Sequence, residues 1–285
     1  MLLALASIWG SAFMFTTIAL RDLDPATLIL LRMGSGALAL AVYIRATGQS
    51  FRALRPYAVP LALLGLVNTA VPFYFIAWGQ QYIDSGLASI FNASAPLFTA
   101  LFAIAYDQSQ RVSGLRLAGI VVGFSGVVLL AGFEPSGGDR AIVGGLAIVA
   151  ASACYAVGGL YAGRRFPGLP PALVAFGTLV WATLFALPFG LAHASSIGWE
   201  SVLSVLYLGV AATGAAYLLY FGLIAGAGAS KAVLVTYLVP TLAIVYGALF
   251  LSEQITLIAV AGLALVLSGV ALGTGSLGSR ATVKA

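Results

Sequence analysis

Between Asp84 and Asp107 the chain runs for 22 residues without a charge. As a helix that stretch is long enough to cross the hydrocarbon core of a membrane, which takes about 20 residues at about 1.5 Å each. Comparable stretches recur at 2–20, 26–45, 57–79, 84–106, 114–132, 142–163, 171–192, 200–222, 228–250 and 256–275. Only 7% of the residues are charged, against about one-quarter in a soluble domain, so no soluble core could hide this much apolar surface. Strands of a membrane barrel would be about 10 residues long with alternating polarity, which these runs lack. The pattern predicts an all-α integral membrane protein with ten transmembrane helices. The first run starts at residue 2 without a basic segment before it, and is read as a span rather than a cleaved leader.

The short connectors carry nearly all the charge. With the N-terminus in the cytoplasm, ten basic residues fall on the cytoplasmic side: Arg45, Arg52, Arg55, Arg111, Arg116, Arg164, Arg165, Lys231, Arg280 and Lys284. Only Arg21 and Arg140 fall outside, and Arg32 lies within the second run. The bias predicts both termini in the cytoplasm. The basic residues form no patch, so they read as topology signals rather than a nucleic-acid surface.

The chain repeats itself. A shift of 144 places Leu64-Gly65 on Leu208-Gly209, Thr69 on Thr213, Asn92 on Thr236 and Pro96 on Pro240. A shift of 143 places Gly119 and Gly126 on Gly262 and Gly269, and Gln110 on Glu253. At the front of each half, a shift of 146 places Trp9 on Tyr155 and Pro25-Ala26 on Pro171-Ala172. The ordered succession predicts two domains, 1–140 and 141–285, of five spans each. Five is odd, so the second enters the membrane from the opposite side. Inverted repeats suit alternating access, with a substrate site near the midplane between them.

The fourth run carries a polar stripe. Ser85, Ser89, Asn92, Pro96 and Thr99 recur at steps of 4, 3, 4 and 3, which share one helical face. An unmet polar group in hydrocarbon costs several kcal/mol, so the stripe must face protein or a wet cavity. Two readings remain open, helix packing and a substrate pathway, and the echo in the ninth run favours the pathway.

These residues carry a resemblance. Trp9-Gly10 and Tyr155 open the halves, Pro25 and Pro171 precede each second helix, and Arg32 follows inside the second run. Ala95-Pro96-Leu97 and Val239-Pro240-Thr241 mark each fourth helix, and Leu251–Thr256 (LSEQIT) leads into a glycine-spaced last helix. Over nearly its full length the chain resembles the drug/metabolite transporter superfamily, in the family with two tandem EamA domains, and looks most like its bacterial aromatic-amino-acid exporters. Gln110 stands where a glutamate is common, which weakens any role needing two symmetric glutamates. The resemblance implies ten helices, a central cavity, location in the bacterial inner membrane and export of small metabolites. An exporter of a non-amino-acid metabolite or drug is the alternative.

A zwitterionic amino acid needs polar groups for both ends and an apolar or aromatic wall. The candidate substrate-binding residues are Asn68, Ser89, Asn92 and Thr236 for hydrogen bonding, and Trp9, Tyr74, Trp78, Tyr155, Trp181, Tyr217 and Tyr220 for the wall. Each polar candidate could equally serve an interhelical bond. Tyr82, Trp199 and Tyr207 read better as interfacial anchors. Arg32 is expected to snorkel outward toward Asp22 or Asp24, with a substrate carboxylate as the other reading. All eight acids lie in connectors or at span ends, which points to facilitated diffusion of neutral or zwitterionic cargo. Glycines around the third, fourth, eighth and ninth runs suggest that these helices form the moving gates.

Other functions find little support. One cysteine (Cys154), one histidine (His193) and no mid-span acid leave no catalytic set and no metal cluster. No phosphate-binding glycine loop occurs, so no cofactor is expected and ATP drive within the chain is not. The short loops offer little surface to a scaffold's partners. The expected partners are a small-molecule substrate and the lipid bilayer, not nucleic acid, and a monomer is plausible.

Overall fold

A computed structural model of the chain describes residues 1–106, 114–132, 138–190, 197–227 and 234–273. Among the described residues there are helices and turns but no strand. The helices are α1 (Leu2–Ala19), α2 (Pro25–Ala46), α3 (Phe51–Gly79), α4 (Ser85–Asn92), α5 (Ala95–Tyr106), α6 (Gly114–Gly132), α7 (Gly138–Arg165), α8 (Pro171–Gly190), α9 (Trp199–Ala227), α10 (Leu234–Leu251) and α11 (Leu257–Gly273). Among the described residues nine stretches are long and apolar enough to cross a membrane, with α4 and α5 counted together as Ser85–Ala103. Helix α11 is equally apolar but has 17 residues. Leu38, Val42, Val128 and Leu249 each expose 70% of their surface, which only a lipid environment makes favourable.

The fourth run is not one helix, as its sequence suggests, but two. Pro96 has no N–H, so the carbonyl of Asn92 loses its usual partner four residues on. The chain breaks there into turns at Ala93 and Ser94. The freed acceptors are met by hydroxyls: Ser94 Oγ donates to the Phe91 carbonyl at 2.7 Å, and Ser152 Oγ on α7 donates to that of Asn92 at 3.2 Å. A buried serine from the other half therefore completes the break. Pro240 sits inside a continuous α10.

Helices α3 and α9 each contain a π-helical stretch, Leu66–Ala70 and Tyr207–Ala215. In α3 the stretch precedes Pro72, which cannot donate to the carbonyl of Asn68. In α9 Thr213 Oγ1 donates to the Leu208 carbonyl at 2.8 Å, five residues back. The repeated pairs Leu64-Gly65/Leu208-Gly209 and Thr69/Thr213 lie in or beside these stretches.

Contacts between the halves come in matched pairs. Helix α1 packs along α10, and α7 along α4 and α5; α2 packs on the π stretch of α9, and α8 on that of α3. Helix α2 also packs on α8, and α6 on α11. The α6–α11 pair depends on glycine. A Cβ on Gly126 would come within 3.0 Å of the Gly262 carbonyl oxygen, and one on Gly269 within 2.7 Å of that of Gly119. Such close approach lets dispersion between backbones hold the pair where lipid removes the hydrophobic drive.

Gly269→Leu should therefore lower the thermal stability of the detergent-purified protein, by about 1–3 kcal/mol for overpacking. Gly159→Leu on α7, where an added Cβ meets nothing within 4 Å, should leave the melting temperature unchanged. Tryptophan-fluorescence melts of the two variants measure both.

Candidate substrate cavity

A cavity of about 750 Å³ lies among the helices of both halves. That volume falls within the range of small-molecule sites, about 300–1,000 Å³. The polar stripe of the fourth run faces it: Ser89, Asn92, Pro96 and Thr99 are on its wall. The break at Asn92 thus leaves irregular backbone beside a cavity, where a membrane protein tolerates it.

Of the residues singled out from the sequence, Trp9, Asn68, Ser89, Asn92, Tyr155, Tyr217, Tyr220 and Thr236 line the cavity. Trp9 and Tyr220 meet at 5.5 Å between ring centroids, and the Trp9 indole N–H donates to the Ala212 carbonyl at 3.2 Å. Tyr155 stands edge-on to Phe73 at 6.0 Å.

Tyr74, Trp78 and Trp181 are not on the wall. Helix α3 presents Phe73, Ile76 and Gln80 inward, at steps of 3 and 4. Tyr74 and Trp78 form the neighbouring ridge: Tyr74 is exposed and Trp78 packs on Tyr82 at 5.0 Å. Trp181 turns toward α3, where Gly65 closes on its Cβ, and its ring lies tilted against Phe185 at 5.9 Å. Tyr207 is not an interfacial anchor. Its hydroxyl bonds that of Ser11 at 2.6 Å, and its ring packs on Phe15 at 4.2 Å.

Arg32 does not snorkel outward. Its side chain turns inward, 6% exposed, and lines the cavity. Nε donates to Thr213 Oγ1 at 3.2 Å, and the guanidinium carbon sits 4.4 Å from the centre of the Phe73 ring. The acids that might have drawn it outward are engaged elsewhere. Asp24 caps α2 through the N–H groups of Ala26 and Thr27. Asp22 accepts from Ser201 Oγ at 2.7 Å and from the Gly198 N–H at 2.9 Å. These bonds, Ser201 first, hold its carboxyl below the usual range.

Phe73, Gln80 and Thr213 are wall residues that were not among the candidates, and Arg32 reaches the wall as only the second of its two readings allowed. Gln80 looked like a connector residue. Its place one step of 4 beyond Ile76 on the Phe73 face was the available signal. Its amide donates to the Phe13 carbonyl at 2.9 Å and to Thr17 Oγ1 at 3.0 Å, tying α3 to α1.

One end of the bundle is clasped across the halves. Glu253 accepts from the N–H of Ser85 at 2.8 Å, its hydroxyl at 2.9 Å and the N–H of Gly86 at 3.1 Å. A carboxylate there meets the unpaired donors and positive dipole end of α4. The Asp22 bonds to Gly198 and Ser201 and an exposed Arg21–Glu200 pair at 3.4 Å join the halves at the same end. The cavity extends the other way, to Ala103, Arg116 and Gly273 at the opposite helix ends. Gln110, the counterpart of Glu253 by sequence, and His193 lie outside the described residues.

A bundle of membrane-length helices around an aromatic-walled cavity defines a multi-pass membrane transporter. The EamA-like transporter family model matches the chain twice, over residues 1–132 and 142–274, and the chain belongs to that family as a tandem EamA protein. It is 24% identical to the transporter YoaV of Bacillus subtilis, over 96% of this chain and 95% of that one. It is 28% identical to a probable terminal-alkyne amino-acid exporter of Streptantibioticus cattleyicolor, over 93% and 89% of the two chains. A probable amino-acid metabolite efflux pump of Escherichia coli is 25% identical, over 97% and 94%. One crystal structure of a protein shares the fold, with a TM-score of 0.68 at 22% identity, covering 96% of this chain and 94% of that one. Family and apolar helices together place the chain in a membrane.

Glu253→Leu removes the carboxylate that accepts from Ser85 and Gly86 at the start of α4. It should lower the melting temperature by the equivalent of about 1.5–3 kcal/mol, the worth of bonds to a charged group. Glu253→Gln, which keeps one acceptor oxygen, should fall between it and the unmodified protein in the same fluorescence melt.

Proposed function

We propose that this protein is a secondary transporter that exports small metabolites, amino acids and aromatic amino acids first among them, by alternating access through the central cavity. One observation carries the proposal: a single cavity takes its wall from both EamA segments and combines an aromatic lining with a few polar groups. The amino-acid exporter and efflux-pump names of two relatives support the substrate class. Family membership points to transport rather than catalysis.

In this reading the chain has ten transmembrane helices, with α4 and α5 forming the fourth and α11 the tenth. They form two inverted five-helix repeats, residues 1–140 and 141–285. The matched contacts between the halves are what an inverted repeat would generate. Both termini are cytoplasmic, by the bias of basic residues. The end joined by Glu253 and Asp22 is then external, and the cavity extends toward the cytoplasm, as a cargo-loading state of an exporter requires. Trp9, Tyr155, Tyr217 and Tyr220 form the wall for an apolar side chain, and Asn68, Ser89, Asn92 and Thr236 supply polar groups. Among the described residues no carboxylate lines the cavity, which favours facilitated diffusion over proton exchange.

The test is counterflow of tritiated phenylalanine into liposomes that hold the full-length protein. Saturable uptake without a pH gradient, competed by tyrosine and tryptophan, is the expected result. Strict dependence on a proton gradient would exclude facilitated diffusion. Flux with none of the amino acids would move the cargo to another metabolite or drug class. Disulfide locking of the α3–α4 end against α9–α10 should abolish flux, and undiminished flux in the locked protein would exclude these helices as gates.

A further inference from the structure

We propose that Arg32 is the carboxylate anchor of the cavity, so that cargo must carry a carboxylate. The proposal deepens the transporter reading and rests on it for the use of the cavity.

A guanidinium carries five N–H donors. In Arg32 one of them, on Nε, goes to Thr213, and among the described residues no other acceptor takes a hydrogen bond from the group. Phe73 covers one face of its plane. What remains is the edge formed by Nη1 and Nη2, the two-pronged fork that fits a carboxylate through parallel hydrogen bonds. Among the described residues no acid lies within ion-pair distance of it. A buried cation without a counter-charge is strongly unfavourable unless its partner is something that enters the cavity. Thr213 and Phe73 fix the orientation of the fork before cargo arrives, which lowers the ordering cost of binding.

A fixed cation in the cavity discriminates against an amine that lacks the carboxylate, because that amine leaves Arg32 uncompensated.

The test uses the full-length protein in two formats. In proteoliposomes, unlabelled phenylalanine, 3-phenylpropionate and phenethylamine compete with tritiated phenylalanine in counterflow. In detergent, 3-phenylpropionate and phenethylamine are added during fluorescence melts of the unmodified protein and of Arg32→Gln and Arg32→Lys. 3-Phenylpropionate should compete and stabilise, with phenethylamine about tenfold weaker or worse, the effect of losing a bond to a charged group. Arg32→Gln should lose the stabilisation by 3-phenylpropionate, and Arg32→Lys should recover part of it. Phenethylamine acting as well as 3-phenylpropionate overturns the proposal. So does undiminished stabilisation by 3-phenylpropionate in a folded Arg32→Gln, or none in the unmodified protein. If Arg32→Gln fails to fold, the preference of the unmodified protein for carboxylate over amine decides alone. Carboxylate-dependent stabilisation without phenylalanine flux would uphold the anchor and overturn the amino-acid reading.

Discussion

In hydrocarbon no water meets an exposed backbone N–H or C=O, and everything irregular in this protein is arranged around that constraint. The chain departs from regular α-helix inside the bundle at the Ala93–Ser94 break and at the π stretches of α3 and α9. Each departure is satisfied by a hydroxyl or lies against protein and cavity. Ser94 and Ser152 serve the break, and Thr213 serves the stretch in α9. The irregularities in turn place Asn92, Asn68 and Thr213 on the cavity wall. Regular helices there would have continued their hydrogen bonds past these points and turned different faces inward.

Two kinds of contact hold the halves together, and they differ in physics. The α6–α11 pair is apolar and glycine-mediated, so it depends on shape and tolerates no added bulk at Gly269. The clasped end is polar, built from Glu253, Asp22 and Arg21 against backbone N–H groups, Ser85, Ser201 and Glu200. Polar clasps can exchange their partners for water when an end opens. A fused glycine seam cannot open without exposing backbone to lipid. The division suits a protein in which one seam stays fixed while an end changes state.

Much of the site was legible because polarity is rare in these helices. When a span holds few hydroxyls and amides at helical spacing, their face is nearly forced, and the stripe from Ser89 to Thr99 shows it. Aromatic residues were less legible. Tyr74 and Trp78 share a spacing as good as that of Phe73, Ile76 and Gln80, and only packing against α7 and α2 decides which ridge faces the cavity. Arg32 was misplaced for a related reason. Its depth permits snorkelling, and nothing local says that Asp22 is held by Ser201 and Gly198 or that Phe73 offers a ring.

Uncharged runs of membrane length, the charge bias of their connectors and the internal repeat follow from the sequence alone. They fix the class of protein and its two-part organisation, because burial in lipid acts on each segment separately. Which face of each helix turns inward, where helices break and which groups meet across the halves were decided only by the tertiary structure. These depend on contacts between residues far apart in the chain, such as Arg32 with Thr213, Ser152 with Asn92 and Glu253 with Ser85. No local pattern encodes them, since each partner is acceptable to its own helix with or without the other.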